Sequence, residues 1–262
     1  MAPETIIVER ADGVVTVTMN RPERKNAANA TMWHELLDAF SAFRRSAGDR
    51  VLVLTGAGGA FCSGADLTDP GGVNGNADEH HLRHMQFLGE VALALNELPK
   101  PTIAKVRGVA VGAGLSLALG CDLVVAADTA RMSAIFARRG LSLDGGISWL
   151  LPRLVGLQRA RELAYFGDML TAADAAALGL VNRVLPEAEI DAFVDDWARR
   201  LAAGAPLALS MTKRLLAMGS VQSMADTLQA EAWAQSVNFA SDDAAEALHA
   251  FTHKREPSFR GR

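Results

Sequence analysis

Twice in this sequence a short strand-like run leads into a glycine-rich turn, and that repeated unit limits the fold more than any other feature. Val51–Thr55 is continuous in the manner of strands covered on both faces. It leads into Gly56-Ala-Gly-Gly-Ala-Phe-Cys-Ser-Gly-Ala-Asp-Leu67. Thr102–Val106 reads as a second strand, followed by Gly108-Val-Ala-Val-Gly-Ala-Gly-Leu-Ser116. Glycine at such places lets one backbone come close to another. A helix opening behind the second turn adds the partial positive charge of its N-terminus.

The rest of the chain fits an α/β body with a helical extension. Thr5–Arg10 and Val14–Met19 are β-rich runs joined by Ala-Asp-Gly, a hairpin signal, and Pro22 stops the second. Thr31 is placed to cap a helix running to about Ser46. Helical spacing returns at Asp78–Leu98, Leu115–Gly120 reads as an apolar helix, and another strand falls near Asp122–Ala126. From Ile147 the signal is mostly helical. Thr171-Ala-Ala-Asp174 has the pattern of a capping box with Gly179 as a stop. Helical candidates at Ile190–Leu201, Pro206–Met218, Ser223–Ala240 and Ser241–His253 follow, so the division expected is a body over 1–190 and a helical region over 191–262.

Composition narrows the class. A chain of 262 residues can bury a large core without disulfides, and Cys62 and Cys121 are too few for a disulfide framework. That pair, and an N-terminus without the charged and apolar regions of a signal peptide, point to the cytoplasm. A formal net charge of −4 offers no basic excess to replace phosphate counterions, which argues against a nucleic-acid partner. No run of eighteen apolar residues is present, which argues against a membrane span.

Two turns at the ends of two strands can aim two backbone N–H groups at one oxygen, the device that stabilises an oxyanion. Either turn alone could equally be a packing turn. A dinucleotide fingerprint needs a helix opening on its last glycine, whereas Phe61-Cys-Ser-Gly-Ala-Asp and more loop follow here. His80 and His84, like His249 and His253, share a helix face, but no motif completes a metal site around either pair. Ser63 and Ser116 lack a Gly-x-Ser-x-Gly frame and a histidine partner. Asp144, before two glycines and a helix beginning near Ile147, is by residue type either a helix cap or a partly desolvated base.

Phe61-Cys-Ser-Gly-Ala-Asp-Leu67, Gly108-Val-Ala-Val-Gly-Ala-Gly-Leu-Ser-Leu-Ala and Cys121-Asp122 together resemble the crotonase (enoyl-CoA hydratase/isomerase) family. Asn20-Arg-Pro, Lys25-Asn26-Ala27, Leu178-Gly-Leu-Val-Asn-Arg-Val184 and Pro257-Ser-Phe-Arg-Gly-Arg262 extend the likeness over essentially the whole chain. The resemblance implies a spiral of β-β-α units whose C-terminal helices assemble a homotrimer or homohexamer. It implies an acyl-CoA thioester as substrate, with coenzyme A part of that substrate and no separate cofactor.

By the same resemblance, the oxyanion donors are the N–H groups of Ser63 and Ala113. Substrate and CoA contacts fall on Arg24, Lys25, Ala27, Gly64, Ala65, Asp66, Leu67 and Gly112, with Lys254 and Phe259 reaching the CoA of the same or a neighbouring subunit. Phe136, with Met132 and Trp149, either packs in the core, the usual place of apolar side chains, or shapes an acyl pocket built mostly by the segments Thr68–Leu88 and Met132–Leu150.

The acid/base residues depart from the hydratase pattern. Where a hydratase carries its two glutamates, this chain has Ser116 and Phe136, neither of which is a base at neutral pH. Asp144 resembles instead the catalytic aspartate of ring-modifying enoyl-CoA isomerases and of chlorobenzoyl-CoA dehalogenases. The dehalogenases also need a histidine base, and none is placed by pattern. The expectation is therefore double-bond isomerisation by one aspartate, with hydration or a non-catalytic acyl-CoA binder as alternatives.

Overall fold

The computed structural model describes residues 4–69 and 80–262, and an α/β arrangement follows directly from the apolar runs. Strands β1 (Ile6–Ala11) and β2 (Val14–Met19) form the antiparallel hairpin, turned by Asp12 and Gly13 at positive φ. Strands β3 (Val51–Gly56), β4 (Thr102–Val106), β6 (Leu123–Ala127) and β9 (Arg183–Leu185) add in parallel, giving the order β1-β2-β3-β4-β6-β9. A second sheet stacks β5 (Val109–Val111), β7 (Arg131–Ser133) and β8 (Leu170–Thr171). Successive parallel strands with crossovers place both glycine-rich turns at the carboxyl ends of β3 and β4, where open α/β sheets bind ligands.

Helices α1 (Ala30–Arg45), α2 (His81–Asn96) and α3 (Ala113–Gly120) cover one face. Their buried Phe40, Phe43, Leu95 and Leu115 join Val17, Leu52 and Leu54 of the sheet in the principal core. The cap of α1 is Asn29, whose side chain accepts from Met32 N–H at 2.9 Å; Thr31, the expected cap, lies inside the first turn. Asparagine outcompetes threonine here by reaching back from an extended backbone one residue outside the helix. The capping box at Thr171 and Asp174 forms as the pattern indicates, at the start of α6 (Ala172–Ala177).

Helices α4 (Ile147–Val155) and α5 (Leu157–Phe166) close the body near the second sheet. Helix α7 (Ile190–Ala202) shifts the expected division at 190/191. Its Ile190, Val194 and Ala198 pack on Val51, Val53, Ile103 and Val125, the opposite face of the sheet. The sheet-packed body therefore includes α7, and the extension begins with α8 (Pro206–Gly219), α9 (Met224–Phe239) and α10 (Asp242–Thr252). Among the described residues no helix is long and apolar enough to cross a membrane.

Candidate active site

The first turn is stitched on both sides. On one side Cys62 N–H donates to Val109 C=O at 2.9 Å and Val111 N–H to Cys62 C=O at 3.0 Å. On the other, Ala28 N–H donates to Gly64 C=O and Asp66 N–H to Ala28 C=O, each at 2.8 Å. In such a parallel bridge Ala28 engages the residues flanking Ala65, so the N–H of Ala65 points away from it. Among the described residues that N–H has no hydrogen-bond acceptor.

This geometry corrects the first expected donor. The N–H of Ser63 already donates to Lys25 C=O at 3.0 Å, and its hydroxyl donates to Arg24 C=O at 3.1 Å. Ser63 is thus committed to the Arg21–Ala28 loop, and the free donor two residues on is Ala65. Ala113, the second expected donor, lies at a helix start. Ala113 is the first residue of α3, its φ is not positive, and its N–H is one of the unpaired donors of a helix start. Alanine is accepted there because the tight contact belongs to its neighbour. A Cβ on Gly114 would stand 2.2 Å from the Cys62 carbonyl oxygen. Gly64 fits the same way: a Cβ there would be 3.0 Å from the Val111 carbonyl oxygen and 3.8 Å from the Ala113 nitrogen. The two turns therefore lie against one another with Ala65 and Ala113 at the junction.

Asp144 enters from the loop before α4. Its C=O accepts the Ser116 hydroxyl at 3.1 Å and the Ile147 N–H at 3.2 Å, which fixes the loop to the first turn of α3. Ser116 is three residues after Ala113, about 4.5 Å along the helix axis. The cap reading fails: the N-cap of α4 is Gly146, with no side-chain hydrogen bond. The Asp144 carboxylate has no hydrogen-bond or ionic partner among the described residues. Burial pushes its carboxyl up from the ordinary 3.8 to about 6.

Beside Ser116 and the Asp144 loop opens a cleft of about 880 Å³. Leu93 and Asn96 of α2, Leu117 of α3, Gly145, Gly146 and Trp149 by α4, and Lys213 and Arg214 of α8 line it. Phe136, expected to line the acyl pocket, is 5% exposed and belongs to the principal core. Part of the other expected pocket wall, residues 70–79, lies outside the described residues.

The remaining expected contacts divide. Arg24 and Lys25 are exposed and have no acidic partner among the described residues, as suits cations that meet phosphates. Gly64, Ala65 and Gly112 lie at the junction, while Ala27 and Leu67 adjoin the bridge between Ala28 and Ala65 in sequence. Asp66 is corrected, because its carboxylate faces inward. It takes Arg21 Nη2 at 2.9 Å, the Thr68 N–H at 3.0 Å and the Thr68 hydroxyl at 2.7 Å. Burial alone would raise its pKa, but these contacts outweigh burial and hold it below the ordinary range. Lys254 and Phe259 are not brought to the junction within one chain. The tail is pinned by Asp243 to Arg260 and Gly261 N–H, and Arg260 C=O meets Arg50, which immediately precedes β3 at the far end of that strand.

Comparison with known proteins agrees with the fold. The family model described as enoyl-CoA hydratase/isomerase matches residues 9–262. A Rhodobacter capsulatus protein called "Probable enoyl-CoA hydratase" is 38% identical over 262 residues, covering all of both chains. The 1,2-epoxyphenylacetyl-CoA isomerase of Escherichia coli is 36% identical over 260 residues, covering 99% of each. A crystal structure of an enoyl-CoA hydratase from Bacillus anthracis superposes with a TM-score of 0.93 at 31% identity, covering 99% of this chain and 100% of that one. The fold is accordingly a crotonase-type spiral and the protein a crotonase-type enzyme of acyl-CoA substrates. The chain belongs to the enoyl-CoA hydratase/isomerase family.

Proposed function

We propose that the chain is an acyl-CoA isomerase that moves a double bond by a proton shuttle through Asp144. One observation carries the reading: a partly buried carboxylate without a partner among the described residues, with its pKa pushed to about 6, on a loop fixed to the first turn of α3. The Ala65 and Ala113 N–H groups would polarise the thioester carbonyl and hold the oxyanion of the dienolate. Asp144 would take the proton from one carbon and return it at another, so it must be ionised at the start of each turnover. Nothing is added from water. The arrangement that activates and delivers water in a hydratase needs a second acid/base group, and its two positions carry Ser116 and Phe136. The isomerase name of the E. coli relative supports the same reading.

Hydration is the second reading, favoured by the names of the R. capsulatus and B. anthracis proteins. Separate incubations with a 3-enoyl-CoA and a 2-enoyl-CoA, followed by mass spectrometry, distinguish them. Migration of the double bond at constant mass is expected, and a product heavier by one water would overturn the isomerase assignment. Self-association, as a trimer or a pair of trimers, fits helices α8 and α9, which contain no buried residue. They expose Leu216, Met224, Leu228, Trp233 and Phe239. Sedimentation would read the assembly directly.

A further inference from the structure

We infer that the Arg21–Ala28 loop couples anchorage of the substrate's phosphate-bearing end to the polarising turn, with Arg21 and Asp66 as positioning residues. The inference rests on the reading that the Ala65 and Ala113 N–H groups hold the thioester oxygen.

The loop is bonded to that turn at each end of the free donor. Ala28 holds Gly64 and Asp66, the two neighbours of Ala65, while the carbonyls of Arg24 and Lys25 hold Ser63. Arg21 closes the circuit, with one guanidinium nitrogen on Asp66 at 2.9 Å and the other on Ala27 C=O at 2.6 Å. Both ion-pair members are shielded, with side chains 17% and 6% exposed.

The loop is also held in a conformation that its residues disfavour. Lys25 and Asn26 are consecutive non-glycine residues at φ 50° and 56°. Such backbone persists only where the surroundings over-determine it. Here the buried Asn26 side chain accepts from Arg21 N–H and donates to Ala57 C=O and Ala60 C=O, at 2.7–2.9 Å. An anion held by the exposed Arg24 and Lys25 therefore acts on the residues whose carbonyls fix Ser63. Displacement of this loop cannot leave Ala65 in place. Binding energy from a remote part of a substrate raises turnover when it is linked in this way to the reacting centre.

The test compares two thioesters that differ only at the remote end: hexanoyl-CoA, and hexanoyl-pantetheine, which lacks the phosphates and the nucleotide. The infrared carbonyl band of each is recorded bound to the wild-type protein and to Asp66→Asn. In the wild type the band is expected to move to lower frequency further for the CoA thioester, and in Asp66→Asn that difference disappears. With the corresponding 3-enoyl thioesters, wild-type kcat is expected to favour CoA over pantetheine by about tenfold or more, and the ratio falls towards one in the variant. If Asp66 is merely structural, both substrates lose activity by the same factor and the ratio is unchanged, which overturns the inference. Equal band shifts for both thioesters in the wild type overturn it as well, while leaving the donor assignment intact. No shift for either thioester removes the donor assignment itself. Arg21→Lys, read in the same way, replaces Asp66→Asn if that variant does not fold.

Discussion

Two segments flank the start of α3, where the thioester is expected to sit, and they are built by opposite means. The Cys62–Asp66 turn is fixed by main-chain hydrogen bonds to a loop on one side and to the second sheet on the other. The Asp144 segment is tied, among the described residues, through the Asp144 backbone carbonyl, and the residues after it are Gly145 and Gly146 at φ 59° and 81°. In the first segment the proposed working groups are N–H donors, which almost any side chain leaves in place. In the second, the proposed working group is one carboxylate followed by two glycines. A scaffold of this kind keeps the intermediate constant and lets the reaction change with the placement of carboxylates. Hydratase and isomerase names among relatives of similar identity accord with that division.

The comparison can be broken first at its rigid side. Gly114→Val places atoms where a Cβ alone would be 2.2 Å from the Cys62 carbonyl oxygen, forcing the two donor turns apart. Turnover at saturating substrate is expected to fall by about 10²–10³-fold, the effect of losing one oxyanion donor; near-normal kcat would show that the turns need not touch. The adjustable side is read by pH. Because Asp144 must be ionised and its pKa is about 6, kcat/KM should fall about tenfold per pH unit below that value. A profile flat to about pH 4 would mean that another group is the base. Asn26→Ala removes three hydrogen bonds from the strap and leaves the Ala57 and Ala60 carbonyls without that donor. A stability loss of about 3 kcal/mol is expected in equilibrium denaturation. Thr171→Ala, at a capping box that contributes nothing to either segment, should cost about 1 kcal/mol and leave kcat alone.

Some of this was legible in the sequence because it depends on local pattern. Val51–Leu54 is apolar without interruption because both faces of β3 are covered, whereas Thr102–Val106 is broken by Lys105, which pairs with Asp191; the capping box at Thr171 needs only residues three apart. Ala113 at a helix start follows from the glycines around it. The choice of Ala65 over Ser63 was not legible. It is decided by a bridge to Ala28, thirty-seven residues away in sequence, and by Lys25 claiming the Ser63 N–H. Resemblance places Asp66 among the CoA contacts, whereas its ion-pair partner, Arg21, is forty-five residues away in the chain. Helix α7 read as part of the extension because amphipathic spacing says that a face is buried, but not against which element.

Asp144→Asn, assayed for isomerisation, CoA-thioester binding and thermal stability together, bears most directly on the central claim. A carboxyl whose folded pKa of about 6 exceeds its ordinary 3.8 weighs against the fold when it is ionised. Its favourable contribution is complete below about pH 4 and is lost as pH rises through 6. The account therefore predicts that the variant binds CoA thioesters, loses turnover by about 10²–10⁴-fold, and melts at a higher temperature than the wild type at neutral pH, with the gain vanishing near pH 4. Unchanged turnover, with a lower melting temperature, would contradict it and return Asp144 to a structural role.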